Sequence, residues 1–587
     1  MNKKIQNKFL KAINLHQNNQ LNQAEAIYCE ILKNDPENAD ILHHLGILYG
    51  QMGHFEAAID SIQKAISINP NSAVFYFNLG LTFRNSGNQE KAIQSFMLAH
   101  ELDSMNYDVC FNIGLEFQIM GRFDLAAFYY ERAINVKPDS YEALSNLGAV
   151  FQHLGENEKA VETYKKAVLI KPDQAELYNN LAVALQNSKK FDEALDFYRM
   201  AIKLQPDFVN SYINMGSLLH EKNDINGAIE NYQKAISLDP EYSESYYNLA
   251  NVLQKQLKLD QAIELYRHVI SKNFKHAKAH YNLGLALLLN GDLINGFKEF
   301  EWRWATDDFP EEKRIFNRPE WDGSEFKGKT LLIYAEQGIG DTIQFVRYLP
   351  FLKNLGGSII FEVAPELSDL VFGMADKVIH KNEKPPHFDF HISIMSLPFL
   401  FKTSLETIPS NVPYIKINQN LEKFSGLKKI IEKQSKKFKI GIVWAGSPLH
   451  SNDHNRSCDL SNFAKLFKLD KCAFYSLQKG NRSNELNNYK NFNIENFDKY
   501  LIDFSYTAYI IKKLDLLITV DTACAHLAGA LGKPVWLLLP FAPDWRWLLK
   551  DDKSPWYPSV RLFRQKRKGE WKIVFDNIFK ILKKQHD

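Results

Sequence analysis

Residues 516–540 read LLITVDTACAHLAGALGKPVWLLLP. Leu516 to Val520 is an apolar, β-branched-rich run, Thr522 to Leu531 is rich in Ala and Leu, and Val535 to Leu539 is apolar again. The order predicts strand, helix, strand, a βαβ unit. Asp521 and Thr522 stand where the first strand ends and the helix begins, so unpaired backbone N–H groups and the positive end of the helix dipole face the crevice where α/β sheets bind ligands. Such a place favours an anion. His526 falls about one helical turn after Thr522 on the same face, while Gly529 and Gly532 predict close packing and then a stop before Pro534. The same residues also read without a ligand, Asp521 and Thr522 as helix caps and His526 as a satisfied polar core residue.

Upstream, Thr330 to Ala335 predicts a strand, Glu336 to Asp341 (EQGIGD) a glycine-bearing turn and Thr342 to Leu355 a helix. Further strands at Ser358 to Val363, Phe388 to Ile394, Ile440 to Ala445 and Ala473 to Leu477 make this half alternating α/β, with the lysine-rich Leu427 to Lys439 a solvated helix and crossover. Two Rossmann-like subdomains, 329–430 and 431–587, with a cleft between them follow from this alternation. Gly338 and Gly340 lack the third glycine of a dinucleotide fingerprint, Ile343 standing in its place, so NAD is disfavoured. Asp341 and Gln344 have the spacing of a helix capping box, and a carboxylate at a helix N-terminus is a weaker base than burial alone would make it.

In the second subdomain Trp444 to Pro448 follows a strand, and His450, Asp453, His454, Arg456, Ser457 and Asp459 follow it. His450 and His454 lack helical phasing, which argues against a metal pair. Arg456 reads either as a cation for phosphate or as a surface partner of Asp459. Gln478-Lys479-Gly480 forms another crevice turn, with Lys479 a second phosphate candidate. Asp503 to Thr507 opens the next helix, chiefly by capping. Pro543 to Trp547 (PDWRW) and Trp556 to Pro558 hold aromatics that either stack on a base or sugar or pack under a C-terminal helix crossing between the subdomains. Arg564 to Lys568 is expected to lie solvated.

The first half is a repeat array. Prolines at 36, 70, 138, 172, 206 and 240 are 34 residues apart or a multiple of it, with Ser104 and Phe274 in the same phase. That is the tetratricopeptide period. Gly46, Gly80, Gly114, Gly148, Ala182, Gly216, Ala250 and Gly284 are the small residues of the first helix; Ala24, Ala58, Ala92, Ala126, Ala160, Ala194, Ala228 and Ala262 are those of the second. Small residues there let paired helices approach. The pattern gives eight full repeats over residues 5–276 and a ninth, from 277 to about 305, that drifts, with Gly296 where an alanine is expected. Asn78, Asn112, Asn146, Asn180, Asn214, Asn248 and Asn282 stand two residues before each small residue of the first helix, with His44 equivalent. Asparagine is a mediocre helix former, so this ladder needs another reason. Either its carboxamides bind a peptide backbone on the concave side, or they bond between repeats and stiffen the solenoid.

Residues 306–328 read as an irregular linker, preceded by Phe297, Phe300, Trp302 and Trp304, an apolar cap that docks the solenoid onto the next domain in a fixed orientation. Of 587 residues, 45% are hydrophobic and 24% charged, and the formal net charge is +2, which gives no bulk reason to expect nucleic acid or an anionic membrane. Five scattered cysteines without a CxxC pair suggest neither a disulfide framework nor zinc, and fit a reducing cytoplasm. Neither a signal peptide nor a membrane span is expected.

Val520-Asp521-Thr522-Ala523, His526-Leu527-Ala528 and Gly532-Lys533-Pro534-Val535 resemble the donor-binding motif of glycosyltransferase family 9, the heptosyltransferase-like enzymes of GT-B fold. With the repeats, the chain resembles bacterial proteins that join tetratricopeptide repeats to such a domain, and the asparagine ladder is similar to that of nucleocytoplasmic O-linked N-acetylglucosamine transferase, where it holds extended protein substrates. The resemblance implies an inverting, metal-independent transfer from a nucleotide-sugar, with no cofactor. Asp341 would be the general base. Gly338, Gly340, Trp444, Arg456, Ser457, Gln478, Lys479, Asp521, Thr522, Ala523 and His526 would surround the donor, and the asparagines would hold a protein or peptide acceptor. Two alternatives remain at this stage, a transferase acting on lipopolysaccharide or another glycan, and a non-catalytic protein-interaction scaffold.

Overall fold

Each 34-residue period folds into a pair of antiparallel helices. In the computed structural model, residues 3–307, 309, 311–417, 422–433, 436–450 and 452–586 are described, and the chain falls into two units, Met1–Glu241 and Tyr242–Asp587. The first unit holds seven pairs, from Lys3–Gln17 with Leu21–Asn34 to Val209–Glu221 with Ile225–Leu238. The glycine column explains the pairing. A Cβ on Gly80, Gly114, Gly148 or Gly216 would come within 2.9 Å of the ring of Phe96, Tyr130, Tyr164 or Tyr232, sixteen residues on in each case. The helix-B alanines from Ala24 to Ala228 are fully buried on the other side of the contact. Side chains of Asn38, Asn88, Asn106, Ser140 and Asp224 accept backbone N–H bonds and cap the helices they precede.

The second unit begins with two further pairs, Ser243–Lys255 with Leu259–Lys272 and Ala277–Asn290 with Leu293–Phe300. The ninth repeat also forms a helix pair, but its second helix is cut to eight residues against fourteen in the others, as its drifting sequence predicts. Gly296 replaces alanine because the helices come closer still, where an added Cβ would lie 2.7 Å from Leu288. Phe297 and Phe300 are buried, and Phe297 meets Trp545 and Trp556 edge-on at 5.5 and 6.5 Å, as expected of a docking cap. The linker is not wholly irregular: Glu320 bridges to His391, and Trp321, 2% exposed, donates its backbone N–H to the His391 carbonyl. Its positions 308 and 310 lie outside the described residues, as do 434 and 435 of the lysine-rich stretch.

Two parallel sheets follow. The first contains β1 (Thr330–Tyr334), β2 (Ser358–Val363), β3 (Lys377–His380) and β4 (Phe390–Ser393) in the order β3-β2-β1-β4. The second contains β5 (Phe438–Val443), β6 (Cys472–Ser476), β7 (Ile494–Asn496), β8 (Leu516–Val520), β9 (Val535–Leu539) and β10 (Val560–Arg564) in the order β10-β9-β8-β5-β6-β7. All their pairings are parallel, so each strand returns by a crossover over a face of the sheet.

Several expectations need correction. The helix after β1 starts at Ile339 rather than Thr342, and it runs on to Lys353 through a 3-10 turn at Val346–Tyr348. Strands β3, β7 and β10 stand where none was expected. The final helix, Trp571–His586, does not cross between subdomains; Trp571, Val574, Phe575, Ile578 and Leu582 bury themselves with Ile440, Phe474 and Trp536 of the second sheet. The basic string begins inside β10, where Arg564 donates to the Trp547 and Asp551 carbonyls, so only 566–568 lie fully exposed.

Candidate functional site

Two strand-to-helix turns meet within the second unit. β1 runs into helix Ile339–Phe345 and β8 into helix Ala523–Ala530, and the starts of the two helices touch. Gly340 makes this possible: a Cβ there would sit 3.0 Å from the His526 ring and 3.6 Å from the Ala523 Cα. Thr522 is the N-cap of the second helix but makes no side-chain cap bond; its hydroxyl lies 3.1 Å from that of Thr519. The anticipated Thr522 side-chain cap is not made, and among the described residues no side chain accepts from the first N–H groups of that helix. Gly529 lets Tyr557 pack against the helix, a Cβ there falling 2.5 Å from that ring, and Gly532 ends it at φ +70°.

Asp341 is the third residue of its helix. Its Oδ2 accepts the Gly338 N–H at 2.9 Å, so the capping pair is Gly338 with Asp341 and not Asp341 with Gln344. Gln344 instead accepts from Arg546 Nε at 2.7 Å. Arg546 gives its remaining nitrogens to Asp341 Oδ1 at 2.5 Å and Asp544 Oδ1 at 2.8 Å. Sequence reasoning singled out the PDWRW run for its aromatic rings and passed over this arginine. Burial pushes the Asp341 carboxyl above the ordinary carboxylate range, and Arg546 and the Gly338 N–H pull against that.

Asp521, with 15% of its side chain exposed, is pushed up to about 6, first by burial and then by the charge of Asp544, against the pull of Arg546 and Arg456. His526 Nδ1 lies 2.9 Å from the Tyr557 hydroxyl, and its ring is 5.2 Å from that of Trp547. Burial, then Arg546 and Arg347, hold His526 well below its usual range, so it is neutral near pH 7. It works as a packed polar residue behind the turn.

Arg456 pairs with Asp453 at 3.2 Å, not with Asp459, and Gly446 leaves the space for it, since a Cβ would fall 2.4 Å from the guanidinium. Ser457 accepts the Gly446 N–H and donates to Asp453. Trp444 is fully buried in the sheet core with its indole N–H on Glu485, which leaves its ring no face for a donor. Gln478, 3% exposed, braces the end of β5 through Trp444 N, Ala445 N and Ala445 O. Lys479 is exposed. The structure thus gathers Gly338, Gly340, Asp341, Thr522, Ala523, Asp521, His526 and Arg456 around Arg546, and sets Trp444 and Gln478 into the core. Asp503 caps helix Phe504–Lys513 through the N–H groups of Ser505 and Tyr506.

A second buried network stands behind the first turn. Arg303, fully buried just after the ninth repeat, holds Glu336 at 2.8 Å, Glu301 at 2.7 Å and Ser396 at 2.9 Å. Glu336 opens the EQGIGD turn, and nothing in the spacing of the sequence links it to Arg303.

The ladder asparagines are half-buried. Asn78 bonds His43, Asn112 accepts from Arg84, Asn214 bonds Asn179 and Asn282 bonds Tyr247 and Asn251, each in the preceding repeat. Among the described residues, Asn180 and Asn248 bond within their own helix, to Asn179 and Glu244. Asn146 lies against Tyr130.

Family models described as tetratricopeptide repeats match residues 39–72, 61–94, 107–140, 139–207, 216–256 and 247–293. Protein FlbA of Caulobacter vibrioides is 24% identical over 326 residues, 51% of this chain and 53% of that protein, so the chain spans about half of its relative's length. Among solved structures, a MamA protein is 26% identical and covers 29% of this chain and 93% of its own, with a TM-score of 0.28. YrrB, described as a tetratricopeptide repeat protein with an unusual peptide-binding site, is 23% identical over 31% of this chain and 95% of its own, with a TM-score of 0.29. The C-terminal part of a repeat protein from Cytophaga hutchinsonii is 20% identical over 41% of this chain and 99% of its own, with a TM-score of 0.37. The helix pairs within residues 39–293 are tetratricopeptide repeats, a protein–protein interaction module.

Proposed function

We propose that residues 329–587 form a glycosyltransferase of GT-B type, similar to family 9, which moves a sugar from a nucleotide-sugar to an acceptor borne by a protein or peptide that the repeats bind. The observation that supports this most is the meeting of two helix starts over Asp341, Asp521 and Arg546. An uncapped helix start at Thr522 suits a diphosphate, and Arg456 adds charge near it. A carboxyl that titrates near 6 is readily protonated beside phosphate, so Asp521 would donate a hydrogen bond to the anion rather than repel it. The acceptor oxygen attacks the anomeric carbon as Asp341 takes its proton. The bond from that carbon to phosphate oxygen breaks, its electron pair leaves with the nucleoside diphosphate, and the configuration inverts. Developing charge on the leaving group is met by the helix start and the Arg456 guanidinium, the work a divalent metal would otherwise do.

The repeats bring the acceptor protein. Because five ladder asparagines, Asn146 with Tyr130 among them, are engaged with the preceding repeat, peptide contact falls chiefly to Asn180 and Asn248 and to unused lone pairs on the rest.

Thermal melting against ADP-, UDP-, GDP- and CMP-sugars tests the donor site. A bound donor at 100 times its dissociation constant adds about 2.7 kcal/mol, and Asp521→Ala should abolish the shift. Transfer, or hydrolysis with water as acceptor, should fall about 10²- to 10⁴-fold in Asp341→Asn. No shift with any donor, in a cooperatively melting protein, would leave a repeat scaffold with a silent domain.

A further inference from the structure

The PDWRW turn is over-determined for a surface connection. Arg546 is 6% exposed and its guanidinium is divided among Gln344, Asp544 and Asp341, with the Trp545 ring 4.2 Å beneath it. The turn itself is gripped from four sides. Phe297 of the ninth repeat meets Trp545, helix Ala277–Asn290 packs along the turn, Arg564 donates to the Trp547 carbonyl, and Trp547, fully buried, lies on His526. Leu548 closes it at φ 52° and ψ −165°, a region almost confined to glycine. A side-chain-bearing residue holds such backbone only where the surroundings impose it.

We infer that Arg546 is a positioning residue: its fork, held by Gln344 and Asp544, fixes the Asp341 carboxylate in one orientation, with Oδ2 turned back on the Gly338 N–H and Oδ1 held on the guanidinium. The inference rests on the transferase reading, in which Asp341 is the base. Fixing both oxygens leaves the outer lone pairs of Oδ1 as the place for the acceptor proton. The charged groups around Asp341 are Arg546 and Asp544 from the turn; the titratable ones, both held neutral by burial, are His450 from the loop after β5 and Tyr281 from helix Ala277–Asn290. Arg546 is the strongest ionic partner among them and pulls the Asp341 pKa down against the larger upward push of burial.

Charge and orientation separate by substitution. Arg546→Lys keeps the charge but cannot reach three acceptors at once; Arg546→Ala removes both. The probe is hydrolysis of whichever nucleotide-sugar stabilises the wild-type chain, followed from pH 4 to 9, with donor affinity measured by calorimetry. The lysine variant should lose about 10²-fold in kcat, with donor affinity within twofold of wild type and the acidic limb of the pH profile unmoved. In the alanine variant the acidic limb should move to higher pH, because a group that lowers the Asp341 pKa is gone.

Melting of Arg546→Ala, Asp341→Asn and the double variant gives a readout independent of activity, and the single effects should not add. Additive effects overturn the inference, as does a kcat and acidic limb unchanged in both arginine variants. If the melting effects couple but the wild type neither binds nor hydrolyses any donor, the transferase reading falls and the positioning role with it.

Discussion

The helices of 3–238 and the turns at 336–342 and 541–548 use side chains in opposite ways. In the repeats a residue acts by its column: a small residue admits an aromatic ring sixteen residues on, and the same exchange recurs from pair to pair. In the turns every contact is made once, between partners as far apart as Asp341 and Arg546. A column shares its work among neighbours, so losing one member is a local loss. A network of single contacts has no such reserve, because removing one member leaves the others buried without a partner.

The largest effect should come from the network at the foot of the first turn. Arg303→Ala leaves Glu336, 2% exposed, without its cation, and should cost about 3–5 kcal/mol. All nine tryptophans lie between 302 and 571, so their fluorescence reports the second unit alone in a denaturant titration. Arg303→Lys should recover only part of the loss, since it lacks the fork that reaches Glu336, Glu301 and Ser396 together. A loss below about 1 kcal/mol, the level of an exposed pair, would erase the contrast with the columns.

Next is a pH effect at Asp521. Its folded pKa is raised from 3.8 to about 6, so the folded state holds a proton that the unfolded state releases. The associated stability is fully present below about pH 4 and is lost as pH rises through 6, amounting to about 2–3 kcal/mol. Asp521→Asn should flatten that slope and leave the variant the more stable at pH 7. Equal slopes would show that the turn does not strain its carboxylate.

In the columns the effect is smaller and confined. Gly148→Ala places a methyl 2.7 Å from the Tyr164 ring and should cost about 1–3 kcal/mol. Hydrogen exchange should quicken in the repeats on either side of 148. Loss spread evenly over 3–238 would mean that the array unfolds as one body.

What the sequence disclosed follows the same division. The nine helix pairs were legible because one spacing repeats, and the ninth drifts from it where Gly296 departs from alanine to bring two helices closer. Among the strands, β2, β8 and β9 carry runs that read to the residue, whereas β3, β7 and β10 were missed. All three are sheet edges: β3 and β7 are short and largely unburied, and in β10 two arginines break the apolar run that marks a buried parallel strand. The helix at Ile339 was hidden by Gly340, a poor helix former kept because the His526 ring stands 3.0 Å from where its Cβ would be. Asp341 and Asp521 were found by their turns and by family resemblance. Arg546 and Arg303 were not, since no local pattern joins 546 to 341 or 303 to 336, and only the packing of one turn on another does so.

The ladder lies between the two regimes, and its members can be told apart. Asn214 donates to Asn179 of the preceding repeat at 3.1 Å, and Ser211 donates to the same oxygen at 3.1 Å. Asn180 has only a 3.3 Å bond from its neighbour Asn179. If the column served packing alone, Asn214→Ala should cost about 1 kcal/mol and Asn180→Ala less than about 0.5 kcal/mol, and neither should alter binding to a partner protein. If it serves recognition as well, the stability difference persists while Asn180→Ala weakens binding at least as much as Asn214→Ala, because its carboxamide is the less occupied. Equal stability costs would remove the distinction drawn from the hydrogen bonds. Equal stability costs with no loss of binding in either variant would count against both contact readings at once, since propensity disfavours an asparagine at all seven places.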